Sequence, residues 1–149
     1  MLFRSHHGNG TQALVEQTSD IHFVSMHQWP WYPGTGAADD RGPHGSVWNL
    51  PMSPSLEPQV YVDAFERAID AATTHFTPDL VLISAGFDSL AGDPLGAFTL
   101  RREDIAVLTR SLVSRAGDWC GGRVVSVLEG GYAPDAVAQA VVTHLMALG

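Results

Sequence analysis

Four short apolar runs that alternate with longer helical patterns constrain this chain more than any other feature. Runs such as LVLIS and VVSVL are apolar at nearly every position, as in strands that are buried on both faces. After these runs, apolar residues recur at three- and four-residue spacings over 60–76, 105–116 and 134–148. This alternation predicts an α/β fold with a mainly parallel sheet and helices on both faces. The predicted strands are Ile21–Ser25, Val47–Met52, Leu80–Ser84 and Val124–Leu128.

The size of the chain fits one globular domain, and its charge limits the classes of partner that it can bind. Its 149 residues are 45% apolar, which is enough to bury a core. A formal net charge of −8 disfavours binding to a phosphate backbone or an anionic membrane surface, so we expect neither nucleic acid nor membrane as a partner. The single cysteine, Cys120, and the lack of a signal-peptide pattern predict a cytoplasmic location.

The loops after the last two predicted strands carry the candidate chemistry. Ligands of open parallel sheets bind beyond the carboxyl ends of the strands. Asp88 lies in SAGFDSLAGDPLG, after the third predicted strand, and Tyr132 lies in EGGYAP, after the fourth. Asp88 is either a turn carboxylate or a metal ligand. Tyr132 is either packed under its loop or a hydrogen-bond donor to a developing oxyanion.

Two further segments contain histidines or aromatic residues in unusual density. His6 and His7 stand in HHGNGT, either as imidazoles that bind zinc or as a solvent-exposed pair near a terminus. The other histidines are scattered singly, and we expect them to be structural or surface residues. The stretch 28–45 has no helical or alternating period, and its aromatic residues predict a long ordered loop.

Four motifs together resemble one known group of enzymes. HHGNGTQ, VSMHQWPWYPGTG, LVLISAGFDSLAGDPLG and VLEGGY occur in the order and approximate spacing of the histone deacetylase and acetylpolyamine amidohydrolase superfamily. The resemblance runs from about His6 to the carboxyl terminus. It implies the arginase-like three-layer αβα fold of these zinc amidohydrolases, with 1–149 forming the carboxyl-terminal half of the deacetylase domain. It also implies hydrolysis of the acetamide of acetyl-lysine or a related acetylated amine, which releases acetate.

The resemblance assigns roles to individual residues. It makes His6 and Asp88 ligands of zinc, or of another divalent metal, and it makes Tyr132 the catalytic oxyanion donor. It places Ser25 and the Met26 carbonyl near a site for a monovalent cation such as K⁺. The active-site loop residues that carry over with them are Gly86, Phe87, Gly130 and Gly131.

Leu95, in GDPLG, bears on the choice of substrate. It stands where an acidic residue near the active-site mouth would help to select polyamines in some relatives. The resemblance therefore favours acetyl-lysine or a small acetylated amine as the substrate.

The chain departs from the family pattern immediately before His6. The family motif reads Asp-x-His-His-Gly, and Arg4 stands at the aspartate position, while Leu2 stands where a further aspartate is usual. A guanidinium has no lone pair for a metal, and its charge repels a dication. The family's general base comes from a different histidine pair, upstream of the zinc motif.

These departures predict a break in the family sequence at 1–5 and impaired hydrolysis in this chain alone. Without the family's amino-terminal strands and helices, the sheet should expose an apolar edge and face. We expect an amino-terminal half or a second copy of the chain as a partner. The alternative is a noncatalytic remnant or interaction domain of the same fold.

Overall fold

A five-stranded, fully parallel sheet organises the chain. The computed structural model of the protein describes residues 2–149. The strands lie in the order β3-β2-β1-β4-β5, so that the first strand occupies the centre of the sheet. The elements in chain order are β1 (Leu2–Phe3), α1 (Asn9–Val15), β2 (Phe23–Gln28), β3 (Val47–Met52), α2 (Pro58–Thr73), β4 (Val81–Ala85), the 3-10 turn Phe87–Ser89, α3 (Arg102–Cys120), β5 (Val124–Leu128) and α4 (Pro134–Leu148).

The predicted α/β class and parallel sheet are confirmed, with differences at the amino-terminal end. β3 and β5 coincide with the predicted strands, whereas β4 is shifted by one residue. β2 begins at Phe23 rather than Ile21, because the Phe23 N–H donates to the Ser46 carbonyl at 2.8 Å and starts the pairing there. β1 and α1 were not predicted. β1 is only two residues long, which is too short for any periodicity to show.

One face of the sheet packs against α2, α3 and α4 and holds the main core. Phe3, Met26 and Ile83 point to this side, each at most 1% exposed, and pack with Phe65 of α2 and Leu108 of α3. The apolar positions of α2 recur at helical spacing, so that one side of this helix is buried along its length. Burial of such a side chain stabilises the fold by about 1.5–3 kcal/mol.

The opposite face is covered only over β2 and β3. There α1 packs Val15 against Phe23 and Val47, which form a small second core. Toward the β5 edge the same face is open, with Val125 47% and Val127 52% exposed. The expected apolar face is therefore present among the described residues. No helix within residues 2–149 has the length and apolar character needed to cross a membrane.

We predict that Phe65→Ala lowers the free energy of unfolding by about 3–5 kcal/mol, because the ring is fully buried and meets Phe3 edge-on at a centroid distance of 6.1 Å. Urea denaturation followed by circular dichroism measures the change. Leu145→Ala, at a site 59% exposed on α4, is the matched control and should stay within about 0.5 kcal/mol of wild type. Equal effects of the two substitutions would contradict this assignment of the core.

Candidate functional site

The carboxyl ends of β1, β4 and β5 meet at one cavity of about 380 Å³. These strands are neighbours in the sheet, and the residues that follow each of them line the cavity wall. β1 leads to Arg4 and His6, β4 leads to Asp88, and β5 leads to Glu129 and Tyr132. The other lining residues are His7, Asn9, Tyr32, Pro33, Leu95 and Gly130. The position agrees with the rule that open parallel sheets bind ligands at this edge.

The Asp88 carboxylate is the buried centre of the site. Its residue is 2% exposed, and its Oδ2 lies 2.9 Å from Nδ1 of His6. Its Oδ1 accepts a hydrogen bond from the Ser5 N–H at 3.0 Å, and the Ser5 hydroxyl donates to the Asp88 carbonyl at 2.6 Å. The structure thus brings together the two residues that the resemblance makes metal ligands. It also supplies the protein partners that a buried carboxylate requires.

Tyr132 reaches the same space from the β5 side. A Cβ built on Gly130 would lie 3.1 Å from Oδ2 of Asp88 and 3.5 Å from the Tyr132 hydroxyl, so the carboxylate and the phenol border one small volume. The Phe87 N–H donates to the Gly130 carbonyl at 2.8 Å, which ties the two loops together. At Gly131, where φ is +138°, a Cβ would approach Val137 Cγ2 to 2.7 Å, so a side chain is excluded there.

Asp93 holds the tyrosine loop and was missed by the sequence analysis. Its Oδ2 accepts a hydrogen bond from the Tyr132 N–H at 2.7 Å, and its Oδ1 accepts one from the Leu95 N–H at 2.9 Å. The residue is 6% exposed. The only signal in the sequence was its place in the AGDPLG turn, which does not reveal a partner 39 residues away.

Arg4 occupies the wall beside His6. Its Nε donates to the His6 carbonyl at 2.9 Å, and its Nη1 lies 3.4 Å from Oε2 of Glu129. The Ser84 hydroxyl donates to the other oxygen of Glu129 at 3.0 Å. A Cβ on Gly86 would collide with the Cβ of Arg4, so a side chain is excluded at Gly86.

The His7 ring does not contact Asp88 as the His6 ring does. It is 2% exposed, with Nδ1 2.8 Å from Oγ1 of Thr35 and Nε2 2.9 Å from Oε1 of Gln12. Both ring nitrogens are therefore engaged, and the histidine pair is neither solvent-exposed nor a pair of ligands facing one metal. Burial lowers the pKa of His7, although the hydrogen bond to Gln12 opposes the shift.

His27 lies behind His7, with ring centroids 4.6 Å apart. Its Nε2 is 3.0 Å from the Gly36 carbonyl and its Nδ1 is 3.1 Å from the Ser25 hydroxyl. The tautomer with a proton on Nε2 donates to Gly36 and accepts from Ser25. Burial lowers the pKa of His27 to about 4, so this imidazole is neutral at pH 7.

The residues proposed for a monovalent cation already have protein partners. The Ser25 hydroxyl contacts His27, and the Met26 carbonyl accepts a backbone hydrogen bond from the Arg4 N–H at 3.4 Å. Leu2 and Arg4, at the family's two aspartate positions, bring no carboxylate. The cation site stays a prediction.

The described residues do not fit the divalent metal site that the resemblance implies. Within 2–149, no group of three or more His, Cys, Asp or Glu side chains is placed to hold a metal ion. A catalytic zinc site takes three protein ligands. His6 and Asp88 are two candidates, hydrogen-bonded to each other, and the third position belongs to a guanidinium that cannot ligate.

The entrance of the cavity is apolar and aromatic. Leu95 is 49% exposed there, beside Tyr32 and Pro33 from the long ordered loop. The Tyr32 ring meets the His6 ring near edge-on at a centroid distance of 6.3 Å. Leu95 lines this cavity, and its role at the mouth stays a prediction, while the sequence analysis took Tyr32 only as one aromatic residue of the loop.

We predict that acid weakens the fold through His27. The folded-state pKa of about 4 lies below the usual 6.5, so the stabilisation by the neutral ring is complete above pH 6.5 and is lost as the pH falls toward 4. The loss amounts to about 3 kcal/mol over that window. Urea unfolding between about pH 7.5 and about pH 4.5 measures it.

His27→Gln should flatten this part of the pH profile, whereas His75→Gln, at an exposed histidine, should leave it unchanged. An unchanged slope in His27→Gln would refute the assignment of the acid sensitivity to this ring.

Comparison with known proteins places the chain in a family. The histone deacetylase domain family matches residues 3–148. Histone deacetylase 15 of Arabidopsis thaliana is 40% identical over 134 residues, which are 85% of this chain and 24% of that protein. A histone deacetylase-like amidohydrolase of Pseudomonas aeruginosa is 37% identical over 132 residues, which are 85% of this chain and 34% of that protein.

A solved structure gives the same result for the fold. The crystal structure of the HDA15 HD domain superposes with a TM-score of 0.89 and 36% sequence identity, covering 99% of this chain and 42% of that one. The chain thus spans less than half the length of the curated relatives it matches. With the family match over nearly every residue and an arginase-like sheet around His6 and Asp88, this chain belongs to the histone deacetylase family.

Proposed function

We propose that this chain forms the acetamide-binding part of a deacetylase active site. The reaction of that site is hydrolysis of the acetamide of acetyl-lysine or a related acetylated amine, which releases acetate. Family membership supports a hydrolase, and relatives named as deacetylases and amidohydrolases support this reaction class. The observation that carries the proposal is the convergence of His6, Asp88 and Tyr132 on one cavity.

The cavity has the polarity that an acetylated amine requires. Its wall carries the buried Asp88 carboxylate and the half-exposed Tyr132 side chain, and Leu95, Tyr32 and Pro33 add apolar and aromatic surface. The Tyr132 hydroxyl donates a hydrogen bond to the acetyl oxygen, where negative charge develops during hydrolysis. The apolar entrance residues contact the methylene stem of a lysine side chain.

The charge of the wall fits a substrate that becomes an amine. Asp88 and Glu129 contribute two carboxylates, and Arg4 contributes one guanidinium. The excess of negative charge disfavours an anionic ligand. Leu95 adds no charge of its own, so we propose acetyl-lysine or a small acetylated amine rather than a polyamine.

The hydrolytic step is impaired in this chain by two features of its own residues. Histone deacetylase relatives generally use a divalent metal, which we propose to be zinc in the family reaction, but Arg4 replaces a ligand here. Among the described residues that line the cavity, the imidazoles are His6 and His7. Both nitrogens of His7 are engaged, so His7 is not free to take a proton from water, whereas His6 is bonded to Asp88 through Nδ1 alone.

A noncatalytic domain is the second candidate, and the Arg4 contacts favour it. The guanidinium is bonded to the His6 carbonyl and to Glu129, so it is part of the wall rather than a solvent-exposed residue that happens to differ. Such a domain would keep the fold and the cavity while it lacks hydrolysis. We also propose a cytoplasmic location for the protein and, as its partner, an amino-terminal half or a second copy of the chain.

We predict that the purified chain binds an acetyl-lysine peptide more tightly than the same peptide without the acetyl group. Tyr132→Phe should reduce this preference by about 2- to 10-fold, because it removes one neutral hydrogen bond to the acetyl oxygen. Fluorescence anisotropy of labelled peptides measures both affinities. Tyr32→Phe, which also removes a phenolic hydroxyl but at the mouth, is the matched control and should keep the preference. Equal binding of the two peptides would sink the substrate proposal.

We also predict that the chain alone releases acetate from this peptide only at the background rate, with or without added zinc. An acetate assay on the same preparation measures the release. Turnover near the median for enzymes, about 10 per second, would show that hydrolysis is not impaired in this chain and would exclude the noncatalytic alternative.

A further inference from the structure

We infer that Arg4 is a built-in cation that replaces the charge of a divalent metal, so that this site keeps its shape without one. The inference concerns the architecture of the wall and does not depend on the substrate. The side chains that this site offers as metal ligands do not meet the metal requirement of the family.

The wall needs a positive charge. Asp88 is almost completely buried and Glu129 stands at the end of the neighbouring strand, so two carboxylates line one cavity of about 380 Å³. Two carboxylates that line one cavity repel each other, and a cation paired with one of them reduces this repulsion. Among the described lining residues, Arg4 is the one side chain with a permanent positive charge.

The Arg4 guanidinium has two protein partners. Nε donates to the His6 carbonyl at 2.9 Å, and Nη1 pairs with Glu129 at 3.4 Å. Glu129 is in turn held by the Ser84 hydroxyl at 3.0 Å. The arginine therefore links the end of β1 to Glu129 after β5, and Glu129 is bonded in turn to β4.

Protein groups also satisfy the other carboxylate of the wall. The Asp88 oxygens are bonded to the Ser5 N–H and to the His6 ring. Each carboxylate of the wall thus has protein partners, and no ion is required to complete them.

Thermal unfolding followed by circular dichroism tests this inference, with each protein measured in EDTA and again with added zinc. We expect the same Tm for the wild-type chain in both solutions and less than one zinc bound per chain. Arg4→Asp should lower the Tm in EDTA, because three carboxylates then share the wall. Added zinc should restore the Tm of this variant by about 5 °C or more, and His6→Ala in the same background should remove the response.

Two further variants keep the test decisive if Arg4→Asp does not fold. Glu129→Gln removes the partner of the guanidinium and should lower the Tm equally in EDTA and in zinc. Arg110→Asp, at an exposed site on α3, makes the same charge change as Arg4→Asp and should show no response to zinc.

One stoichiometric zinc in the wild-type chain, lost in Asp88→Ala, would overturn the inference, as would a fall in the wild-type Tm on addition of EDTA. Either result would leave the proposal of an acetamide-binding site intact. Conversely, equal binding of acetylated and unacetylated peptides would overturn that proposal and leave the zinc result unaffected.

Discussion

The hydrogen bonds of the buried Asp88 carboxylate are the constraint on which the rest of the structure depends. They join the loop after β4 to Ser5 and His6, which lie more than 80 residues earlier in the chain. β1 is only two residues long, yet it lies in the centre of the sheet, between β2 and β4. Ladder bonds over two residues give little cooperativity, so the Asp88 contacts fix the segment that follows β1. A carboxylate left unpaired at this depth would cost more than the short strand contributes.

The same interaction decides how the neighbouring loop closes. A Cβ on Gly96 would meet both the Asp88 carbonyl and the Ser5 hydroxyl, so the backbone must approach this pair without a side chain. Asp93, three residues earlier, then reaches the Tyr132 N–H from that loop. The backbone position of Tyr132 is therefore linked to Asp88 through this loop, although the two residues come from different strand ends.

The sequence predicted the parts of this arrangement that depend on local patterns. β3 and β5 are apolar runs with clear boundaries, and α4 begins at a proline, so their limits agree with the structure. Ligands of parallel sheets bind at the carboxyl ends of the strands, so the sequence also predicted that Asp88 and Tyr132 lie at one edge of the sheet. α1 was missed because Gly10 and the preceding Gly8 favour a turn, and it is held by the packing of Val15 and by the buried hydrogen bond between Gln12 and Asn49.

The partners of the site residues could not be predicted in this way. Asp93, Glu129 and the bonds of His7 and His27 connect residues whose proximity arises only when distant elements pack together. Sequence reasoning could say that Arg4 cannot ligate a metal, but it could not say where the guanidinium goes. The answer depends on Glu129, 125 positions away, which has no recognisable pattern of its own apart from the two glycines that follow it.

The contrast between Arg4 and Asp88 explains how the fold tolerates the exchange of a carboxylate for a guanidinium. Asp88 is held by protein donors, so its position does not depend on a metal ion. Arg4 lies at the rim of the same wall, where its side chain is 22% exposed and has a carboxylate within reach. A guanidinium buried as deeply as Asp88 without such a partner would cost several kcal/mol and unfold a chain of this size. The fold therefore tolerates a guanidinium at the Arg4 position, although this exchange removes one metal ligand of the family motif.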